Sequence, residues 1–160
     1  MTIFDLQKRV AFITGGNGGI GLGIAKGFAS AGAAVVIAGR NKTKAQSALS
    51  ELHSLGAQAE FVELDVLKEA ACHTAIQRAV ERYGRLDILV NNAGTSIRKQ
   101  PEDLTAQDWH LVMNTNLTSA FLCSQAAYPH MVRTGGGKII NIGSMMSIFG
   151  MAYAAPYGGE

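Results

Sequence analysis

The sequence predicts an α/β chain folded as a doubly wound parallel sheet, and three observations support that class. Short apolar runs rich in valine and isoleucine alternate with longer stretches whose apolar residues recur every three or four positions. The first apolar run leads into Thr14-Gly15-Gly16-Asn17-Gly18-Gly19-Ile20-Gly21, a glycine-rich turn followed at once by helical spacing. No internal repeat, linker or low-complexity tract interrupts the alternation. Right-handed crossovers between such elements lead to a parallel sheet with helices on both faces. The expected strand order is 3-2-1-4-5.

Val10-Ala11-Phe12-Ile13 has the composition of a strand buried on both faces. After the glycine turn, Ile20, Ile24, Phe28 and Ala31 form a helical stripe, and Gly32 is placed to close the helix. Ala34-Val35-Val36-Ile37-Ala38 is the second strand. Ala45, Ala48, Leu49, Leu52 and Leu55 mark the next helix, with Thr43 and Gln46 at capping-box spacing and Gly56 at its end. Glu60-Phe61-Val62-Glu63-Leu64 is the third strand. The helix after it carries Cys72, Ala75, Ile76, Ala79, Val80 and Tyr83, and stops at Gly84. Asp87-Ile88-Leu89-Val90 is the fourth strand. Beyond a polar loop through Pro101, one long helix is expected from Thr105 to Arg133, its stripe formed by Trp109, Val112, Met113, Asn116, Leu117, Ala120, Phe121 and Ser124. Gly135-Gly136-Gly137 ends it, and Lys138-Ile139-Ile140-Asn141-Ile142 is the fifth strand.

A chain of 160 residues, 48% hydrophobic and 16% charged, suits one domain with a substantial core. A net charge of +2, without a lysine-rich face, gives no reason to expect nucleic acid. No apolar run is long enough to cross a bilayer, and Met1-Thr2-Ile3-Phe4-Asp5-Leu6 lacks the features of a secretory leader. Cys72 and Cys123 are expected to stand alone on their helices, as idle thiols in a reducing, cytoplasmic setting. His53, His73, His110 and His130 have no metal-ligand spacing, so no metal site is expected.

The chemistry begins at the glycine turn. A helix opening there leaves backbone N–H groups without intrahelical partners at the positive end of its dipole. Glycines let an anion approach them closely, which suits a phosphate. Gly15, Gly19 and Gly21, preceded by Thr14, form T-G-x-x-x-G-I-G. Asn91-Asn92-Ala93-Gly94 follows the fourth strand, at the sheet edge where ligands bind in such folds. Asn116-Leu117 interrupts a helix with a poor helix former. Ser144 follows the fifth strand, and Tyr157 stands thirteen positions later.

Together these motifs resemble the short-chain dehydrogenase/reductase family, across nearly all of this chain and about two-thirds of a family member. The resemblance implies a Rossmann fold and hydride transfer between a nicotinamide dinucleotide and a small alcohol or carbonyl substrate. It implies catalytic roles for Asn116, Ser144 and Tyr157. Tyr157 would be the general acid/base, Ser144 would hold the reacting oxygen, and the Asn116 carbonyl would kink the helix and hold a relay water. Tyr153 is a competitor at the wrong spacing. The family's cofactor-binding positions correspond to Gly15, Asn17, Gly18, Gly19, Ile20, Gly21, Arg40, Asn41, Asp65, Val66, Asn92, Ala93 and Gly94.

Gly39-Arg40-Asn41-Lys42 stands where an acidic residue would select NAD. Arg40, with Lys42 adding charge, favours NADP over NAD, the alternative being a solvated basic loop. Asp65 either meets the adenine amino group, as the family implies, or caps a helix. The Ser144–Tyr157 segment is similar to that of gluconate-type members, which points to a sugar or sugar acid. Full-length members are usually homodimers or homotetramers. A free tyrosine keeps its proton at neutral pH, and the family supplies a lysine four residues after it, a position beyond Glu160. Turnover by these 160 residues alone is therefore expected to be impaired, with residues 1–160 forming an NAD(P)-binding domain that lacks the family's C-terminal third. The other reading is a catalytically silent dinucleotide-binding or interaction module. A methyltransferase on the same sheet would have no use for Ser144 and Tyr157.

Overall fold

The computed structural model describes residues 4–159; Met1, Thr2, Ile3 and Glu160, used above for the two ends of the chain, lie outside them. Five parallel strands form one sheet: β1 (Val10–Thr14), β2 (Ala34–Gly39), β3 (Ala59–Glu63), β4 (Ile88–Asn91) and β5 (Lys138–Asn141). Their order is β3-β2-β1-β4-β5, as the alternation predicts. The chain reverses direction across the sheet between β1 and β4, whose register pairs Phe12 with Leu89. Such a switch point opens a crevice beyond the carboxyl ends of the strands.

Strand alternation sends successive side chains to opposite faces. Val10, Phe12, Val36, Val62 and Leu89 pack with α3 (Glu69–Tyr83) and α5 (Ser119–Arg133). Ala11, Ile13, Val35, Ile37 and Val90 pack with α1 (Gly19–Ser30) and α2 (Lys42–Ser54). At the N-terminal edge, Asp87 is nearly buried and bound to both Arg9 and Arg85. The Arg85 pair is bidentate at 2.8 and 2.6 Å, and the Val10 N–H donates to the same carboxylate at 2.9 Å. Burial pushes the Asp87 carboxyl up, but these donors outweigh it and hold it below the usual carboxylate value.

Several expectations need correction. The buried face of α1 is Gly21, Ala25 and Ala29, with Ile24 and Phe28 at its margin, while Ile20 is 69% exposed. Small residues win that face because the helix start lies almost against β1 and β4. Asn41, not Thr43, caps α2, its side chain accepting from the Lys44 N–H at 2.9 Å. A true capping box forms instead at Thr105 and Asp108, ahead of α4 (Ala106–Met113). Asp65 caps no helix; its carboxylate accepts from the Leu67 N–H at 3.2 Å, and Lys68 precedes α3.

The expected long helix is three pieces. Between α4 and α5, Asn114–Thr118 forms a π-helical turn. The extra residue rotates the stripe, so Val112, Ser119, Cys123, Ala127 and Met131 are buried, while Trp109, Leu117 and Phe121 are exposed. Rotation also brings Cys123 into the same core as Cys72 across the packed α3 and α5; both thiols are free and buried, as expected of idle thiols, and Cys72 Sγ donates to the Val66 carbonyl at 3.6 Å. The neighbouring Cys72 thiol and burial push the Cys123 thiol up. The last elements are two single-turn helices, α6 (Met146–Phe149) and α7 (Ala155–Gly158).

Candidate functional site

Two cavities meet at the carboxyl edge of the sheet. The first, about 420 Å³, runs from Gly15 and Asn17 past Gly39, Arg40 and Asn41 to Asp65 and Val66, then along Asn92–Thr95. The second, about 540 Å³, shares Asn92, Ala93, Gly94 and Thr95 and is completed by Ile20, Asn116, Ser144 and Tyr157. A third cavity, about 560 Å³, lies at the opposite edge, beneath the ends of α1 and α2. Two of its cations, Arg9 and Arg85, are bound to Asp87. The three catalytic candidates and the glycine turn all lie at the carboxyl edge.

The glycine turn is shaped by backbone demands. Gly15 has φ +65°, a left-handed conformation that a side chain would strain. At Gly21 a Cβ would collide with the Gly15 carbonyl oxygen and would meet Asn92 Nδ2 at 2.5 Å. The helix start can therefore sit directly on the β1 and β4 ends only as glycine. Gly18 stands at the N-cap of α1 in extended conformation, without a side chain to satisfy the first amides. A cradle that a Cβ would fill, backed by uncapped amides, fits a diphosphate.

Thr14 and Asn92 lock the two strand ends together. The Thr14 hydroxyl oxygen accepts from the Asn92 and Ala93 N–H groups, each at 3.0 Å. Asn92 Nδ2 donates back to the Thr14 and Gly15 carbonyls at 3.0 and 3.3 Å. Asn91 braces the next layer, donating to Asn141 Oδ1 at 2.8 Å and Ser124 Oγ at 3.0 Å. The Asn-Asn pair thus ties β1, β4, β5 and α5 around the crevice.

Beyond β2, Asn17 Nδ2 donates to the Asn41 carbonyl at 3.1 Å, and the same side chain abuts Gly39. Arg40 lines the first cavity as expected, but Lys42 does not: its ammonium lies 2.9 Å from Glu63. Lys44, one helical turn into α2, takes that place on the cavity wall. Side-chain spacing alone gives no sign of this exchange, because the Glu63 partner comes from β3.

At the second cavity, Asn116 holds Thr95 at two points. Its Oδ1 accepts from the Thr95 N–H at 2.8 Å, and its Nδ2 donates to the Thr95 carbonyl at 2.9 Å. Both bonds depend on the π-helical turn that carries Asn116. Ser144 Oγ accepts from the Met146 N–H at 3.2 Å. Tyr157 lies half-buried on α7, whereas Tyr153 is 51% exposed and lines neither cavity at this edge. Gly18, Gly19 and Gly21 shape the turn without lining a cavity; apart from these and Lys42, every residue expected at the site lines one of the two. Thr95, Arg98 and Lys44 also line them and were missed, since none sits in a recurring motif.

The chain matches the family model for short chain dehydrogenases over residues 9–159. It is 38% identical over 155 residues to a gluconate 5-dehydrogenase of Gluconobacter oxydans, covering 97% of this chain and 60% of that one. It is 40% identical to a 2,5-dichloro-2,5-cyclohexadiene-1,4-diol dehydrogenase of Sphingobium indicum, covering 95% of this chain and 61% of the relative. Among solved structures, a protein of Sinorhizobium meliloti 1021 taken for a short-chain alcohol dehydrogenase superposes with TM-score 0.95 at 38% identity, over 99% of this chain and 63% of that one. An Agrobacterium tumefaciens protein taken for a gluconate dehydrogenase gives 0.92 at 41% identity, over 98% and 62%. The chain therefore spans about three-fifths of the length of these relatives. The glycine cradle, the Asn-Asn lock and the Ser144–Tyr157 cavity on one sheet edge agree with that match: the chain belongs to the short-chain dehydrogenase family.

Proposed function

We propose that residues 1–160 form the nucleotide-binding domain of an oxidoreductase that interconverts an alcohol and a carbonyl compound, in a reducing, cytoplasmic compartment. The family typically uses NAD or NADP. The observation that carries the reading is the shared wall at Asn92–Thr95: a cavity with a glycine phosphate cradle opens onto one holding Ser144, Tyr157 and Asn116. The cradle after Thr14 would hold the diphosphate, Asp65 and Val66 the adenine end, and Ala93 and Gly94 the nicotinamide end. Bound there, a nicotinamide dinucleotide supplies the hydride-transfer chemistry that no side chain provides.

The residues of this chain would do the rest. Ser144 Oγ, fixed by its bond to the Met146 N–H, holds the substrate oxygen by hydrogen bonding. The Tyr157 hydroxyl moves the proton to or from that oxygen. Asn116 keeps the Thr95 backbone, and with it the cavity wall, in one position. Two gluconate-type relatives, including the 2-dehydro-3-deoxy-D-gluconate 5-dehydrogenase of Escherichia coli at 39% identity, favour a sugar acid as substrate.

NADP is the preferred form. Arg40 and Lys44 line the cavity beside Asn41, and the nearby Glu63 carboxylate is paired with Lys42. A 2′-phosphate there would gain charge-assisted bonds that NAD cannot make. Calorimetric titration with both dinucleotides tests this. Tighter NADP binding, reduced roughly tenfold in Arg40→Ala, is expected; equal binding would remove the NADP preference, and no binding of either would overturn the reading. Adding D-gluconate and following absorbance at the reduced-nicotinamide band separates a turning-over enzyme from a silent binding module.

A further inference from the structure

We propose that the cavity at the N-terminal edge of the sheet binds a small phosphate ester, at a site separate from the nucleotide cradle. It encloses about 560 Å³, and Lys8, Arg9 and Arg85 line it while no carboxylate does. Asp87 lies behind the two arginines, its oxygens taken by both guanidinium groups and by the Val10 N–H. Arg9 and Arg85 end on the same Asp87 oxygen, at 2.9 and 2.6 Å, so their charges converge on one point. Neither guanidinium spends all its N–H donors on that carboxylate, and the remainder suit an anion. A buried carboxylate thus holds both forks in place before any ligand arrives. One negative charge set against three positive ones leaves the site short of a dianion. Convergence favours a phosphate ester, which carries its double charge on a single group.

The cations are not needed to close the helices that end beside the cavity. At the end of α1, the Gly32 N–H donates to the Ala29 carbonyl and the Ala33 N–H to the Phe28 carbonyl, each at 3.0 Å. At the end of α2, the Gly56 N–H donates to the His53 carbonyl at 2.9 Å and the Ala57 N–H to the Leu52 carbonyl at 3.3 Å. Both ends are thus satisfied by their own glycine turns, with φ +94° at Gly32 and +75° at Gly56. Lys8 is the second sign of a ligand. It is held at φ +61°, the one non-glycine residue in the left-handed region among the described residues. Glycine or asparagine takes that conformation more readily than lysine. Among the described residues, the Lys8 ammonium makes neither a hydrogen bond nor an ion pair. A strained position that carries an unanswered charge on a cavity wall is accounted for by an anion that uses the charge.

The test titrates the nitrogen-15-labelled chain with glucose 6-phosphate, with glucose as the uncharged control and succinate as a dianion whose charges are apart. Amide resonances of Lys8, Gly32, Gly56 and Arg85 should move saturably with the phosphate ester and stay put with glucose. Lys8→Gly keeps the left-handed backbone, so its thermal midpoint should be unchanged or higher. Binding read at the same amides should nonetheless weaken at least about fivefold. Stability and affinity moving in opposite directions separates a ligand site from a merely structural lysine. The proposal is overturned by the absence of saturable shifts at those amides, or by shifts confined to the Gly15–Gly21 turn, where the ester would be occupying the nucleotide cradle. Undiminished binding in Lys8→Gly, or succinate binding as tightly as the ester, overturns it equally.

Discussion

The central strand β1 and the fifth strand β5 have similar apolar sequences and opposite environments. β1 reads Val-Ala-Phe-Ile-Thr, and all five of its residues are buried. β5 reads Lys-Ile-Ile-Asn, and all four are exposed, with Ile139 at 39% and Ile140 at 40%. β1 lies between β2 and β4 with helices over both faces, whereas β5 pairs with β4 alone among the described residues. An apolar run encodes the ability to be a buried strand; its neighbours decide whether it is one. The same contrast divides α5, where Cys123, Ala127 and Met131 are buried on one side while Phe121, Tyr128 and Val132 are more than half exposed on the other.

The sharpest way to break this comparison is to remove one side chain from each strand. Phe12→Ala opens a cavity between β1, α3 and α5 and should cost about 3–5 kcal/mol in urea unfolding. Ile140→Ala should cost about 1 kcal/mol or less, since its side chain is partly solvated already. Comparable losses at the two positions would show that β5 is covered in solution.

A glycine pair sharpens it next. Gly21→Ala forces a methyl into the Gly15 carbonyl and Asn92, with about 1–3 kcal/mol of destabilisation and loss of dinucleotide affinity. Gly143→Ala, after β5, meets open space and should shift stability by no more than about 0.5 kcal/mol. Calorimetry and thermal melts read both.

Asp87 extends the contrast to pH. Its folded carboxyl is held below the ordinary 3.8, so its contribution is fully present above that value and is lost as pH falls through the lower folded one. Stability should therefore drop below about pH 4. Asp87→Asn should lose about 2 kcal/mol at neutral pH and show a shallower acid decline. An unchanged acid profile would place the sensitivity elsewhere. Smallest of all, Ile140→Lys should leave the unfolding midpoint nearly unmoved, within about 0.5 kcal/mol. It should nonetheless raise the soluble fraction, because a charged edge discourages strand addition.

Much of the site was legible because its chemistry is local. Thr14 to Gly21 is a continuous segment whose glycines answer local backbone demands, and Asn91–Gly94 directly follows a strand. Ser144 and Tyr157 were readable only through a spacing held in common with relatives, and the structure brings both to one cavity. Lys42 was misplaced and Lys44 missed because Lys42 is drawn to Glu63, which lies on a different strand. Arg98 carried no local signal at all, since it lies in a loop outside every motif.

By itself the sequence determined the element order, the parallel sheet and the glycine cradle, since alternation, period and backbone permissiveness act over a few residues. Only the tertiary structure decided the π-helical turn that aims Asn116 at Thr95, the meeting of Cys72 with Cys123, and the buried or exposed fate of β1 and β5. Those outcomes depend on which distant surfaces come together, and helix rotation and strand coverage are properties of packing, not of any one segment.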